Sequence, residues 1–207
     1  MSTIDWEEHW AKREEQEDVT EFNIKMAERL KKFIQDKPIR TVADYGSGPA
    51  TIIFNLAQAF PKIFFNGYDS AASVIEKNRE KVRNLPLGNI RFGQDALPLL
   101  SGKEKYDIVL CFATLHYVED VKKAIEELYD KVGSGGYLFF NYPSLLTMRE
   151  YRRRVKPDDV YMIRRFALLL AGRNLLSIRR IKEILGVKPR KFYSSTRTNI
   201  YVSCRKR

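Results

Sequence analysis

At 207 residues with 44% apolar and 12% aromatic content, the chain can bury one full core, and one domain with decorations is expected. Its formal charge of +11 is uneven: residues 149–207 hold 18 Lys plus Arg against 4 Asp plus Glu, whereas the rest hold 19 against 22. Two cysteines, Cys111 and Cys204, give neither a disulfide framework nor metal-ligand spacing, and no apolar run approaches the length of a membrane span or follows a basic start as a signal would.

Residues 3–36 carry two helical patterns, one with Trp6 and Trp10 on a shared face and one with Phe22, Met26, Leu30 and Phe33 in register. A strand is expected near 39–45, then a turn at Gly46-Ser47-Gly48, then a helix over 51–60. Gly46 and Gly48 lack a Cβ, so the backbone can leave the strand sharply and approach a ligand closely. The free N–H groups of the following helix face the same place. A dinucleotide fingerprint would need a third glycine where Thr51 stands, and Asp44 would repel a diphosphate. Asp44 suits a ligand bearing an ammonium group, such as S-adenosylmethionine.

A second strand, 63–69, ends in Asp69-Ser70 before a helix over 71–84. Asp69 lies 23 residues after Gly46, where a Rossmann-like fold places the acid that accepts from both ribose hydroxyls. Capping of the next helix by Asp69 or Ser70 is the alternative. A third strand, 89–93, leads to Asp95-Ala96, and a fourth, 106–112, runs through Cys111 and Phe112 into the loop Ala113-Thr114-Leu115-His116-Tyr117. In the helix expected over 119–132, Val121, Ile125, Leu128 and Val132 form one stripe and Gly133 is the stop. A fifth strand, 135–142, ends at Tyr142; residues 143–186 read as a helical insertion, and 191–196 with 198–205 as a hairpin about Arg197. Such alternation of strands and helices implies βαβ crossovers and a parallel sheet covered on both faces.

With these landmarks in order, the chain resembles the class I S-adenosylmethionine-dependent methyltransferases, whose first motif is an acid, any residue, then Gly-x-Gly-x-Gly. Asp44, Gly46 and Gly48 match, and Ala50 stands at the third glycine, a departure expected to cost little backbone freedom. The resemblance implies an α/β fold: a doubly wound, mostly parallel seven-stranded sheet with a reversed last strand. It implies one domain, 1–207, made of a helical lid (1–36), a cofactor-binding core (37–142), a helical substrate insertion between strands five and six (143–186) and a C-terminal hairpin (187–207). It implies S-adenosylmethionine as cofactor, with S-adenosylhomocysteine as product, held by Asp44, Gly46, Ser47, Gly48, Asp69, Ser70, Asp95, Ala96, Cys111 and Phe112. Asp95 would accept from the adenine amino group and the Ala96 N–H would donate to the ring; a loop aspartate satisfied by turn N–H groups is the alternative. Main-chain groups near Cys111 and Phe112 would meet the methionine end.

Methyl transfer is an in-line displacement that needs alignment in a dry site, and a base only where the acceptor must lose a proton. The candidate catalytic residues are, in order, His116, Tyr117 and Tyr142, although a histidine in this loop is often structural in the resembled family. Trp6 and Trp10 are candidates for closing over the site, or else anchors of their helix to the core; Arg152 and Arg153 are candidates for holding an acidic substrate. The basic region would attract an acidic small molecule, RNA or an anionic membrane surface, or is a solvated face without a partner. The favoured activity is methyl transfer to a small molecule bearing carboxylate or phosphate. An RNA methyltransferase acting through residues 149–207 and a non-catalytic S-adenosylmethionine-binding partner subunit are the alternatives. No metal site and a reducing, cytoplasmic setting are expected, and the oligomeric state is open.

Overall fold

Alternate residues of a strand point to opposite faces of its sheet, and in this chain both sets are apolar. Val42, Ile108, Leu110 and Phe139 enter one buried cluster, while Ala43, Val109, Cys111, Leu138 and Phe140 enter another. A computed structural model describes residues 4–12 and 21–207. Within them the strands β1 (Thr41–Tyr45), β2 (Phe64–Asp69), β3 (Ile90–Gln94), β4 (Tyr106–Cys111), β5 (Val132–Asn141), β6 (Arg190–Ser194) and β7 (Ile200–Arg205) form one sheet. Their order is β3-β2-β1-β4-β5-β7-β6, every pairing parallel except those of β7, which runs antiparallel to both β5 and β6.

Helices cover both faces. On one, α2 (Glu21–Ile34) sends Met26, Leu30 and Ile34, and α3 (Thr51–Ala59) sends Ile53 and Leu56, into the first cluster. On the other, α5 (Val121–Asp130) contributes Val121, Ile125 and Leu128 and α9 (Ile178–Leu185) contributes Ile181 and Leu185. The remaining helices are α1 (Trp6–Lys12), α4 (Ala72–Asn84), α6 (Leu145–Arg154), α7 (Val160–Arg165) and α8 (Ala167–Ala171). Residues 1–3 and 13–20 of the expected lid lie outside the described residues.

Between α5 and β5 the boundary differs from expectation. The helix stops at Asp130 and Val132 already belongs to the strand, so the Val132 expected in the helical stripe lies on β5. Gly133 is therefore no helix stop. At Gly136, placed in the fifth strand by the sequence reading, a Cβ would fall 2.7 Å from the carbonyl oxygen of Asp107, so glycine there permits the strand pairing. The insertion between β5 and β6 is broken by its own caps: Ser144, Asp159 and Ser177 accept from the main-chain N–H of Thr147, Met162 and Arg180 at the starts of α6, α7 and α9. Met148, Phe166 and Leu169 give it a small core, with half-buried Tyr117 packed against it.

Candidate functional site

Where a parallel sheet reverses its strand order, here between β1 and β4, the strand ends open a crevice. A cavity of about 760 Å³ lies there, within the range of roughly 300–1,000 Å³ usual for small-molecule sites. It is lined by the exits of β1 (Asp44, Tyr45, Gly46, Ser47, Gly48), β2 (Asp69, Ser70), β3 (Asp95, Ala96) and β4 (Phe112, Ala113, Thr114).

The glycine turn is fixed from several sides. Gly46 and Ser47 donate their N–H groups to the Tyr68 carbonyl at 2.8 and 2.9 Å, and Asn78 Nδ2 donates to the Gly48 carbonyl at 2.7 Å. Gly46 has φ of +73°, and a Cβ on it would lie inside the Thr114 side chain, so only glycine fits. Ala50, at the third glycine position, also sits in the left-handed region at φ of 56°. Such a conformation costs an L-residue roughly 1–2 kcal/mol, so this departure is strained and not mild as expected.

Asp44 is 4% exposed; burial, and then the neighbouring Asp69 charge, push its carboxyl up to about 7. Asp69 accepts from the N–H groups of Gly48 at 2.9 Å and Ala71 at 3.1 Å, so it ties the turn to the start of α4 while facing the cavity. Its carboxyl is also raised, by burial, against the lowering effect of those hydrogen bonds. Asp95 accepts from the N–H groups of Ala96 at 2.9 Å and Ser101 at 3.1 Å. Turn satisfaction and a place on the cavity wall thus coexist at Asp95, and the Ala96 N–H expected to meet a ligand is engaged by Asp95 itself. Ser47 Oγ is buried without a hydrogen-bond partner among the described residues.

An aromatic wall closes the other side. Trp6 and Trp10 of α1 line the cavity; Trp10 lies over Gly48, where a Cβ would come within 3.1 Å of the indole, and Trp6 packs on Tyr117 at 4.6 Å between ring centroids. Hydrogen bonds from α4 hold α1 down: Lys77 Nζ donates to the carbonyls of Trp10 at 2.6 Å and Ala11 at 3.2 Å, and Ser73 donates its N–H to Glu7 Oε1 at 2.8 Å and its hydroxyl to the Glu7 carbonyl at 3.2 Å. Arg165 of α7 also lines the cavity, donating from Nε to Tyr117 Oη at 3.1 Å.

Several expected site residues lie elsewhere. His116 is 5% exposed and absent from the cavity lining, because the 3₁₀ turn Leu115–Tyr117 turns successive side chains about 120° apart and presents Tyr117 instead. Burial pushes His116 down to about 4, leaving it neutral, and Asn174 Nδ2 secures its carbonyl from behind at 2.9 Å. Cys111 is fully buried in the second cluster, while Phe112 lines the cavity. Tyr142 packs against that same cluster and is off the lining; Asn141 before it, also off the lining, braces the loop, its Oδ1 accepting from the N–H of cavity-lining Ala113 at 2.8 Å and its Nδ2 reaching Asn199 at 3.0 Å. Arg152 donates to the Leu170 carbonyl at 2.9 Å at the end of α8, and Arg153 is exposed and off the lining. Sequence reasoning missed Arg165: its spacing of four from Tyr161 puts both on one side of a helix, yet it stood in a basic run where every arginine reads alike.

The donor set fits a cationic nucleoside better than a dinucleotide. The lining carries four carboxylates, Asp44, Asp69, Asp95 and Glu119, and Arg165 is the sole cation among its described residues. A buried carboxylate with this cost of ionisation is relieved by an ammonium group and would repel a diphosphate.

Comparison with known proteins gives one result for family and another for fold. A family model described as a methyltransferase domain matches residues 36–183. The trans-aconitate 2-methyltransferase of Deinococcus radiodurans is 30% identical over 118 residues, covering 57% of this chain and 43% of that protein. A malonyl-[acyl-carrier protein] O-methyltransferase of Bacillus anthracis is 28% identical over 102 residues, 48% of this chain and 36% of that protein. The chain thus spans less than half the length of these two curated relatives. Among solved structures, the N-methyltransferase NodS from Bradyrhizobium japonicum WM9, in complex with S-adenosylhomocysteine, superposes with a TM-score of 0.68 at 14% identity, over 100% of this chain and 99% of that one. The plantazolicin methyltransferase BpumL, in complex with a pentazolic desmethylPZN analog and S-adenosylhomocysteine, gives 0.63 at 14% identity over 83% of this chain and 65% of that one. These likenesses carry the fold.

Proposed function

The chain belongs to the methyltransferase domain family, and on that premise we propose that it binds S-adenosylmethionine in the β1–β4 crevice and methylates a small molecule bearing carboxylate or phosphate. The observation that carries the reading is Asp44, a buried carboxylate at the crevice whose ionisation lacks a compensating cation among the described lining residues nearest it. Asp44 would take the ammonium group of the cofactor, Asp69 the ribose hydroxyls and Asp95 the base, each on a different strand exit. The bound cofactor supplies a methyl group already activated on a sulfonium.

The protein's part is alignment and exclusion of water. The fixed turn Gly46–Gly48 sets the floor, and Trp6 and Trp10 shut out solvent and offer ring faces to positive charge. Tyr117 keeps its proton, since burial pushes the phenol up more than Arg165 pulls it down; it orients and does not abstract. Arg165 gives the acceptor side its positive charge. Calorimetric titration with S-adenosylmethionine, S-adenosylhomocysteine and NAD tests the reading: micromolar-range binding of the sulfur nucleosides and none of NAD is expected. Heat with NAD alone, or with none of the three, refutes it.

A further inference from the structure

We propose that Arg165 is the specificity-determining residue for the acceptor and that the group methylated is a carboxylate oxygen, so that the product is a methyl ester. The inference rests on the methyl-transfer reading of the crevice and adds the acceptor's chemistry to it.

The first line of argument is charge. Arg165 is half-buried at the cavity wall, ringed by Tyr117, Tyr161 and Phe166 at 5.7, 6.0 and 5.5 Å from guanidinium carbon to ring centroid. Two of its nitrogens are spoken for, Nε by Tyr117 Oη at 3.1 Å and Nη1 by Tyr161 Oη at 3.4 Å. Both partners are tyrosine hydroxyls, and among the described residues no carboxylate pairs with it and Nη2 has no hydrogen-bond partner. Other arginines of the same region are neutralised or used: Arg154 pairs with Glu150, Arg179 and Arg180 with Glu183, and Arg152 closes α8. A partly desolvated guanidinium held by its Nε edge, with the Nη2 end left over, matches a planar two-oxygen anion.

The second line is the absence of a proton acceptor suited to other acceptors. An amine arrives protonated at neutral pH, and a hydroxyl must lose its proton as it is methylated. Among the described lining residues there is no imidazole and no amine; His116 lies outside, and Tyr117 keeps its proton. Asp44, Asp69 and Asp95 stand at the strand exits assigned to the cofactor, and Glu119, the fourth lining carboxylate, is exposed with its carboxyl held below the usual range, too weak a base for an ammonium or a hydroxyl. A carboxylate needs no base. Its oxygen supplies the electron pair for the new carbon–oxygen bond, the carbon–sulfur bond breaks with its electrons going to sulfur, and no proton moves. The sum is an anion and a sulfonium giving a neutral ester and a thioether.

The test uses the full chain with methyl-labelled S-adenosylmethionine and, as acceptors, trans-aconitate, malonate and the low-molecular-weight fraction of a cell extract. Expected is labelled product that releases volatile methanol in mild alkali, with Arg165→Gln raising the acceptor KM at least a hundredfold, Arg165→Lys by less, and S-adenosylhomocysteine affinity within about twofold of the parent in both. Calorimetry of the S-adenosylhomocysteine-loaded protein adds a readout free of turnover: trans-aconitate or malonate should bind the parent and not Arg165→Gln. Alkali-stable label, no labelled product from any of the three sources, or an acceptor KM unmoved by Arg165→Gln overturns the proposal while leaving the methyltransferase reading intact. Failure of the parent to bind S-adenosylhomocysteine would instead strike that underlying reading.

Discussion

Substituting Asp44 by Asn keeps the shape of the side chain and removes its ionisation, which isolates the cost of a buried charge. Raising a carboxyl from 3.8 to about 7 corresponds to roughly 4 kcal/mol against the charged form in the folded, ligand-free protein. Between those values the folded state keeps a proton that the unfolded chain has released, so this residue lowers stability progressively as pH rises from about 4 to about 7 and by a constant amount above. His116 acts in the reverse sense over nearly the same window. Its imidazole, pushed from 6.5 to about 4, stays neutral when folded while the unfolded chain takes up a proton, so its contribution to stability rises with pH. The two slopes oppose, and the parent protein should look flat. Urea midpoints of parent and Asp44→Asn, measured at steps from pH 4.5 to 8, should diverge with rising pH, the variant gaining about 2 kcal/mol or more at pH 8 after allowance for its unsatisfied amide. The same variant should bind S-adenosylhomocysteine at least tenfold more weakly, and binding to the parent at pH 7 should release about half a proton as pairing drives Asp44 to ionise. A stability difference that does not change with pH would refute the argument, because Asp44 would then not be an uncompensated buried acid.

Gly46→Ala should cost at least about 2 kcal/mol and abolish S-adenosylhomocysteine binding, since the left-handed backbone and the Thr114 side chain both oppose a Cβ; thermal unfolding with calorimetry checks it. Ala113→Gly should stabilise by about 0.5–1 kcal/mol, because exposed Ala113 has φ of 55° and only the unfolded-chain entropy of glycine offsets the relief; a loss of stability counts against the strain. His116→Gln should lower stability while leaving the pH dependence of kcat unchanged, whereas loss of an acidic limb would return His116 to catalysis. Bulk tRNA should bind only weakly through the exposed arginines and dissociate by about 0.2 M salt; tight, saturable binding at that salt would favour the RNA methyltransferase alternative.

The central sheet was legible because its strands are apolar on both faces, which only a doubly covered parallel sheet explains, and because each acid expected at the site stands at a strand exit. The start of β5 was not, since a glycine after an apolar helical stripe reads as a helix stop, whereas Gly133 lies inside β5 and the close approach that requires glycine falls at Gly136. His116 and Tyr117 show a limit of another kind. A loop sequence gives the residues but not the phase of a single 3₁₀ turn, which decides which neighbour faces the crevice. Arg165 was hidden by number, one arginine among many, until the fold set it against Tyr117 while Arg154, Arg179 and Arg180 paired with acids of their own helices and Arg152 bonded the end of α8.

The place of β7 between β5 and β6 bears on how the chain is made as well as on what it becomes. During synthesis β6 leaves the ribosome before β7, yet β6 has no neighbour in the sheet other than β7. Until β7 slots in, β5 shows a bare edge carrying Leu138, Phe139 and Phe140, the kind of template on which chains associate. Interrupting or weakening β7 therefore threatens solubility before it threatens chemistry, and a nascent chain stalled short of Ile200 is the form most in need of a chaperone.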